Sequence, residues 1–228
     1  MTGNMSDYYT NKLSAERLKR CYEIAPPRVQ HYLDAEITYA LEKTHHDSLI
    51  LDLGCGYGRA IPRLSQNARW IIGIDTSLAN LLLGREWLGS ISNCQLINMD
   101  AVHLAFPDQV FDLVICIQNG ISAFHVDQRL LIEESIRVCR SGGTVLFSSY
   151  SDKFWGDRLE WFVLQSEEGL LGEIDYEKTG DGVIVCKDGF KATTVGSQQF
   201  LSLTAELDIE AKILEIDGSS IFCEIVKP

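Results

Sequence analysis

The sequence predicts an α/β fold with a mostly parallel sheet, helices on both of its faces, and a reversed strand at the end. Three observations carry this. Short apolar runs alternate with segments whose apolar residues recur every three or four positions, the pattern of strands joined by crossover helices. One run, Phe111 to Ile117, is apolar throughout except for Asp112, as a central parallel strand buried on both faces has to be. The chain closes on two further runs, Glu210 to Ile216 and Ile221 to Val226, joined by Asp217-Gly218-Ser219-Ser220. That junction reads as a hairpin, which makes the last strand antiparallel.

The elements follow in order. Ser14 is placed to cap a helix that runs to about Ile24, with Glu16 in its first turn, and Pro26-Pro27 then break it. Pro27 suits the first position of a second helix, in which Val29, Leu33, Ile37, Ala40 and Leu41 form an apolar stripe. Leu49 to Leu53 is the first strand, and it stops at Gly54, Gly56 and Gly58. A helix is expected from about Gly58 to Gln66, with Pro62 tolerated near its start. Trp70 to Asp75 is the second strand, followed by Ser77 as a cap and a helix over LANLLLGREWL. Gln95 to Asn98 is the third strand. After the fourth strand, a helix spans about Asp127 to Cys139, Gly142-Gly143 suit its C-terminal turn, and TVLFSSY is the fifth strand. From Tyr150 to Thr194 the alternation is interrupted. An aromatic helix carries Phe154, Trp155, Leu159, Trp161, Phe162 and Leu164, and a hairpin turns at Thr179-Gly180-Asp181-Gly182. Ser197 is expected to cap the last helix, which ends near Leu207.

Composition bounds the partners. A chain of 228 residues with 46% hydrophobic and 23% charged residues suits one soluble domain with a sizeable core. No apolar stretch is long enough to span a bilayer, and the polar start MTGNMSDYYTNK lacks a secretory h-region. A cytoplasmic location is the expectation. The net charge of −12, with no dense Lys/Arg cluster, argues against a nucleic-acid substrate. Seven scattered cysteines, without a C-x-x-C pair, read as buried thiols in a reducing compartment. No histidine stands at zinc spacing and no paired histidine–acid signature occurs, so no metal is expected.

The nine residues Leu51 to Arg59, LDLGCGYGR, combine a strand end, a glycine turn and an acid, Asp52. Such a turn lets backbone lie against a ligand. Asp75, at the tip of the second strand, is where a nucleoside-binding α/β fold holds ribose hydroxyls. A dinucleotide fingerprint would need a small residue at Arg59. The pattern from Asp52 to Gly58, with Asp75, Asp100 and FDLVICIQNG at matching intervals, instead resembles the class I S-adenosylmethionine-dependent methyltransferases of small-molecule type. The resemblance is close over Leu49 to Tyr150 and loose outside it. It implies a Rossmann-like, seven-stranded, mostly parallel sheet with an antiparallel last strand, and a helix-plus-hairpin insertion. Residues 1–228 would form one domain, with residues 1–46 as N-terminal lid helices and residues 150–195 covering the acceptor site. The cofactor would be S-adenosyl-L-methionine, leaving as S-adenosyl-L-homocysteine. Asp52 would sit by its amino group or order water around it. Gly54 and Gly56 would pack on its methionine portion, with Cys55 and Gly58 as further cofactor-binding residues. Arg59 would either reach the methionine carboxylate or lie exposed on the helix surface. Asp75 would hold both ribose hydroxyls, Asp100 and Ala101 would contact the adenine, and Thr76 and Ile117 are further cofactor-binding candidates.

The acceptor is less legible. Gln118, Asn119 and His125 follow the fourth strand, and ligands of open α/β sheets bind beyond such carboxyl ends. The segment QNGISAFH resembles the matching stretch of glycine and sarcosine methyltransferases. His125 is a candidate base, or else holds the loop at the start of the next helix. Gln118 and Tyr9 complete the catalytic candidates. Tyr8, Tyr9 and Tyr22 either form the lid or dock its helices. Tyr150, Trp155, Trp161 and Phe190 either wall the acceptor pocket or form the insertion's own core. The expected reaction is methyl transfer to a nitrogen, oxygen or sulfur of a small molecule, by a monomer or homodimer. A quinone-like lipid acceptor and a non-catalytic cofactor-binding partner are the alternatives.

Overall fold

The computed structural model describes Tyr8 and residues 12–228. Two helices, α1 (Glu16–Glu23) and α2 (Pro27–Glu42), precede the first strand. The sheet is built from β1 (Leu49–Leu53), β2 (Trp70–Asp75), β3 (Cys94–Asn98), β4 (Phe111–Cys116), β5 (Cys139–Tyr150), β8 (Lys212–Ile216) and β9 (Ser220–Val226). Its order is β3-β2-β1-β4-β5-β9-β8. The first five strands pair in parallel, and β9 runs antiparallel to both of its neighbours, so the final strand is the reversed one. The chain order switches between β1 and β4, which opens a crevice at their carboxyl ends.

Strand side chains alternate between two cores. Leu51, Leu53, Val114, Cys116, Val145, Phe147 and Cys223 pack with Leu131 and Ile132 of α6 (Gln128–Val138) and Phe200 of α8 (Ser197–Glu206). Ile50, Leu113, Ile115, Leu146 and Phe222 pack on the other side with Ile37 and Ala40 of α2 and Ile61 and Leu64 of α3 (Ile61–Leu64). A period of two in the sheet therefore serves helices on both faces. A third core joins the N-terminal helices to the segment after β5: Val29, Tyr32 and Leu33 meet Phe154, and Trp161 and Phe162 of α7 (Trp155–Glu167). Phe190 belongs to the same core; it lies between the two-residue strands β6 (Ile184–Val185) and β7 (Lys191–Ala192).

Several local expectations are corrected. The helix after the glycine turn is only Ile61–Leu64, because Gly58 has φ +82° and cannot start a right-handed helix. Ser14 does not cap α1, whose N-cap is Ala15 at φ 51°; Ser197 is already the first helical residue of α8. Ser77 does cap α4 (Leu78–Trp87), accepting the Asn80 N–H, and after the short α5 (Gly120–Ala123) Asp127 caps α6. Gly142 and Gly143 lie inside β5, not in a helix end. They form a bulge where the β4–β5 register shifts, and a Cβ on Gly143 would come 2.9 Å from the Asp112 carbonyl. The tight turn at Gly180–Val183 is present, but the hairpin ladder pairs Ile184 with Ala192 around a second turn at Asp188-Gly189.

Candidate functional site

A cavity of about 520 Å³ lies beyond the carboxyl ends of β1, β2 and β4 and continues under α1 and α7. Its floor is the glycine turn. Gly54 leaves β1 at φ +69°, and the Phe124 ring lies where its Cβ would be, so only glycine fits there. The Cys55 N–H donates to the Ile74 carbonyl at 2.9 Å, and the Gly56 N–H donates to Asp75 Oδ2 at 2.9 Å. Asp75 Oδ1 accepts from the Ser77 N–H at 2.7 Å and from Asn80 Nδ2 at 3.3 Å. This one carboxylate thus ties the turn to the start of α4. Burial raises its pKa, and the backbone donors oppose that.

Asp52 is 5% exposed. Burial first, then the charge of Asp75, pushes its carboxyl up to about 7, against the pull of Arg59. Arg59 was open to an exposed helix-surface role, but it lines the cavity. Its Nε and Nη2 are buried without a hydrogen-bond partner, and its guanidinium lies 4.9 Å over the Tyr22 ring. Thr76 lines the mouth, with its carbonyl accepting from Asn98 Nδ2 at 3.0 Å. Asp100 caps the following turn: Oδ1 accepts the Val102 N–H at 3.0 Å, and Oδ2 lies 3.3 Å from His103 Nδ1. It also lines the cavity beside Ala101, and Ile117 contributes at the end of β4. Gly58 does not line it, and a Cβ there would strike Leu88.

The turn after β4 is held from beneath. Gln118 and Asn119 both take left-handed conformations, φ 58° and 63°. The Gln118 N–H is shared between Glu36 Oε2 at 2.5 Å and Ser148 Oγ at 2.8 Å. Ser148 Oγ–H donates to the same Glu36 oxygen, and Ser220 Oγ–H donates to Oε1 at 2.6 Å. Glu36, fully buried on α2, therefore joins the helix to β4, β5 and β9. Its carboxyl is pushed up to about 7 by burial, which outweighs the three donors. Asn119 donates to the Thr193 carbonyl at 2.9 Å and accepts from Ser149 Oγ at 2.7 Å, stitching the turn to the segment after β7. His125 also lines the cavity; burial and then the charge of Lys191 lower its pKa, so its imidazole is neutral at pH 7.

The far wall is aromatic: Tyr22, Tyr32, Tyr150, Trp161, Phe162 and Phe190 line it, while Trp155 does not. Tyr8 docks on the hairpin, its hydroxyl donating to Asp188 Oδ2 at 2.9 Å and its ring 4.8 Å from Phe190. Tyr9 lies outside the described residues. Tyr32, Phe124, Gln165 and Glu36 escaped the sequence reading. Glu36 had a legible signal, a carboxylate on the apolar stripe of α2, three residues after Leu33 and four before Ala40. Among the described residues no cluster of His, Cys, Asp and Glu is arranged to hold a metal ion, and no helix is long and apolar enough to cross a membrane.

The described geometry has counterparts. Residues 50–143 match the methyltransferase domain family. The chain is 31% identical over 118 residues to a demethylmenaquinone methyltransferase of Thermobifida fusca, covering 51% of this chain and 49% of that protein. It is 34% identical over 104 residues to a phosphatidylethanolamine N-methyltransferase of Cereibacter sphaeroides, covering 44% and 50%. The chain thus spans about half the length of the curated relatives it matches. Among solved structures, the N-methyltransferase NodS from Bradyrhizobium japonicum, in complex with S-adenosyl-l-homocysteine, superposes with a TM-score of 0.64. It is 14% identical, with 99% of each chain covered, and this likeness concerns the fold.

Proposed function

We propose that the chain is a class I S-adenosylmethionine-dependent methyltransferase and that it methylates a nitrogen, oxygen or sulfur atom of a small molecule. The observation that carries the reading is the continuity of the cavity, which runs from Asp75 and Gly56 to Tyr150 and Trp161 without a partition. Its volume of about 520 Å³ lies in the range of small-molecule sites.

The residues fit the cofactor. Arg59 has two buried nitrogens without partners, which the cofactor's carboxylate would satisfy with charge-assisted hydrogen bonds. Asp52, ionisable near neutrality, suits the neighbouring ammonium. Asp75 has used about three of the four lone-pair positions of a carboxylate, so a ribose hydroxyl takes the remaining one and competes with Asn80, the longest of the three. Asp100 and Ala101 would meet the adenine, beside Thr76 and Ile117. When bound, S-adenosylmethionine supplies a methyl group activated by its sulfonium.

The chain's own work is placement, desolvation and proton removal. Leu18 and Tyr22 of α1 and Trp161 of α7 border the same space. The N-terminal helices, residues 1–46, would act as a lid and residues 150–195 as the acceptor's cover. His125, neutral at pH 7, would take the acceptor's proton at an imidazole nitrogen, and the Gln118 side chain would orient the accepting atom. Tyr9 remains a candidate of the same lid. A second reading, methylation of a quinone-like lipid, is favoured by the aromatic wall and by the quinone-methylating relative. The test is incubation with methyl-labelled S-adenosylmethionine and a metabolite extract. Label recovered in an extractable small molecule supports the proposal. Absence of both label transfer and S-adenosylhomocysteine binding refutes it.

A further inference from the structure

We propose that Tyr32 is the specificity-determining residue of the acceptor subsite, and that the subsite takes a planar apolar molecule through one neutral oxygen, hydroxyl or carbonyl. The assignment rests on the methyltransferase reading and narrows it. Tyr32 stands on α2, is wholly buried and lines the cavity. Its ring is fixed between Tyr150 and Phe154, at centroid distances of 5.2 and 5.0 Å. Its hydroxyl makes no hydrogen bond of good geometry, although the Tyr150 phenol and Glu36 lie near it. Buried hydroxyls are nearly always paired, because leaving one unpaired forfeits its hydration without return. A phenol held rigidly against a cavity, its one hydrogen-bonding neighbour the poorly aligned Tyr150 phenol, is suited to a ligand atom.

The surroundings choose the ligand's charge. Tyr150, Trp161, Phe162, Gln165, Phe190 and Ala192 form this half of the cavity, and none carries a charge at neutral pH. Of the charged lining residues, Asp52, Asp75 and Asp100 stand at the ends of β1, β2 and β3, and Arg59 follows the glycine turn and stacks on Tyr22. Glu36 does not line the cavity, and both of its oxygens are occupied by donors. Arg158, which does not line the cavity, stacks 4.5 Å over the Tyr150 ring, and its Nη1 donates to the Gly182 carbonyl at 2.8 Å. An ammonium or a carboxylate would be desolvated here with no charged group among the adjacent lining residues to meet it. A neutral oxygen meets a phenol that either donates or accepts.

The test uses the full chain and four probes of one shape: 1-naphthol, naphthalene, 1-naphthoate and 1-naphthylmethylamine. Dissociation constants are measured by equilibrium dialysis, with and without S-adenosylhomocysteine, on wild type and Tyr32→Phe. Wild type should bind 1-naphthol at least fivefold more tightly than the other three. The variant should bind 1-naphthol no better than naphthalene, with naphthalene affinity unchanged. Its unliganded melting temperature should rise by at least about 2 °C, since an unpaired buried hydroxyl is removed. Equal 1-naphthol affinity in the two proteins, or preference for the anion or cation, overturns the proposal. Should the variant fail to fold, the wild-type probe series alone decides the charge rule. Absence of S-adenosylhomocysteine binding counts against the methyltransferase reading, while the naphthol series still decides the role of Tyr32.

Discussion

Replacing Glu36 by glutamine keeps the side chain's shape and fixes it in the neutral form, so it isolates the proton held where α2 meets β4, β5 and β9. In the folded protein the carboxyl is pushed up to about 7 from an ordinary 4.5 because burial disfavours its charge. The unfolded chain releases that proton near 4.5. Between the two values the folded state binds the extra proton, so stability falls as pH rises. The contribution is complete below pH 4.5 and lost on passing pH 7. Over that interval, at about 1.4 kcal/mol per pH unit, the loss is about 3 kcal/mol.

Glutamine does not titrate. Its carbonyl can accept the Gln118 N–H, and the Ser220 hydroxyl can reverse to accept from its amide. Urea unfolding of both proteins at pH 4.5, 6, 7 and 8 gives the difference in stability at each pH. The variant should gain on wild type by about 3 kcal/mol between pH 4.5 and 8. Asp52 titrates in the same window but is present in both proteins and cancels. Parallel curves would show that Glu36 is ionised throughout, and that the three donors outweigh burial. A variant that loses ground with rising pH would reverse the sign and refute the account altogether.

Three further outcomes follow from the donor side and the loop after β4. Arg59→Met should weaken S-adenosylhomocysteine at least tenfold, about 1.4 kcal/mol, and leave adenosine affinity unchanged in calorimetry; equal losses for both ligands would remove the carboxylate role. S-adenosylhomocysteine affinity should rise with pH up to about 7, where Asp52 becomes ionised, and then level. Asp52→Asn should flatten that profile, and a persisting slope would assign the proton elsewhere. His125→Ala should slow turnover at least about tenfold with unchanged S-adenosylhomocysteine affinity; a wild-type rate would leave His125 only a loop-holding role.

What could be read from the sequence and what could not divide along the range of the interactions involved. Strands β1, β2 and β4 were legible because a parallel strand covered on both faces has almost no choice but apolar residues, Asp52 and Asp112 standing out against that background. The turn at Gly54 was legible because its conformation is set within a few residues. Caps were read less well: Ser77 makes its bond, while Ser14 and Ser197 do not, since the position of the first helical residue depends on what the preceding segment docks against. Gly142-Gly143 looked like a helix end because local sequence does not distinguish that from a bulge; the pairing of Leu113 with Thr144 decides it. The acceptor half was hidden for the same reason in stronger form. Tyr32 reaches Tyr150 and Phe154, and Glu36 reaches Gln118, Ser148 and Ser220, across more than 80 residues of chain. The stripe on α2 announced a buried face, and the carboxylate standing on it, Glu36, went unread. Only the folded sheet shows that the same face carries one polar group held by three donors and another with no hydrogen bond of good geometry.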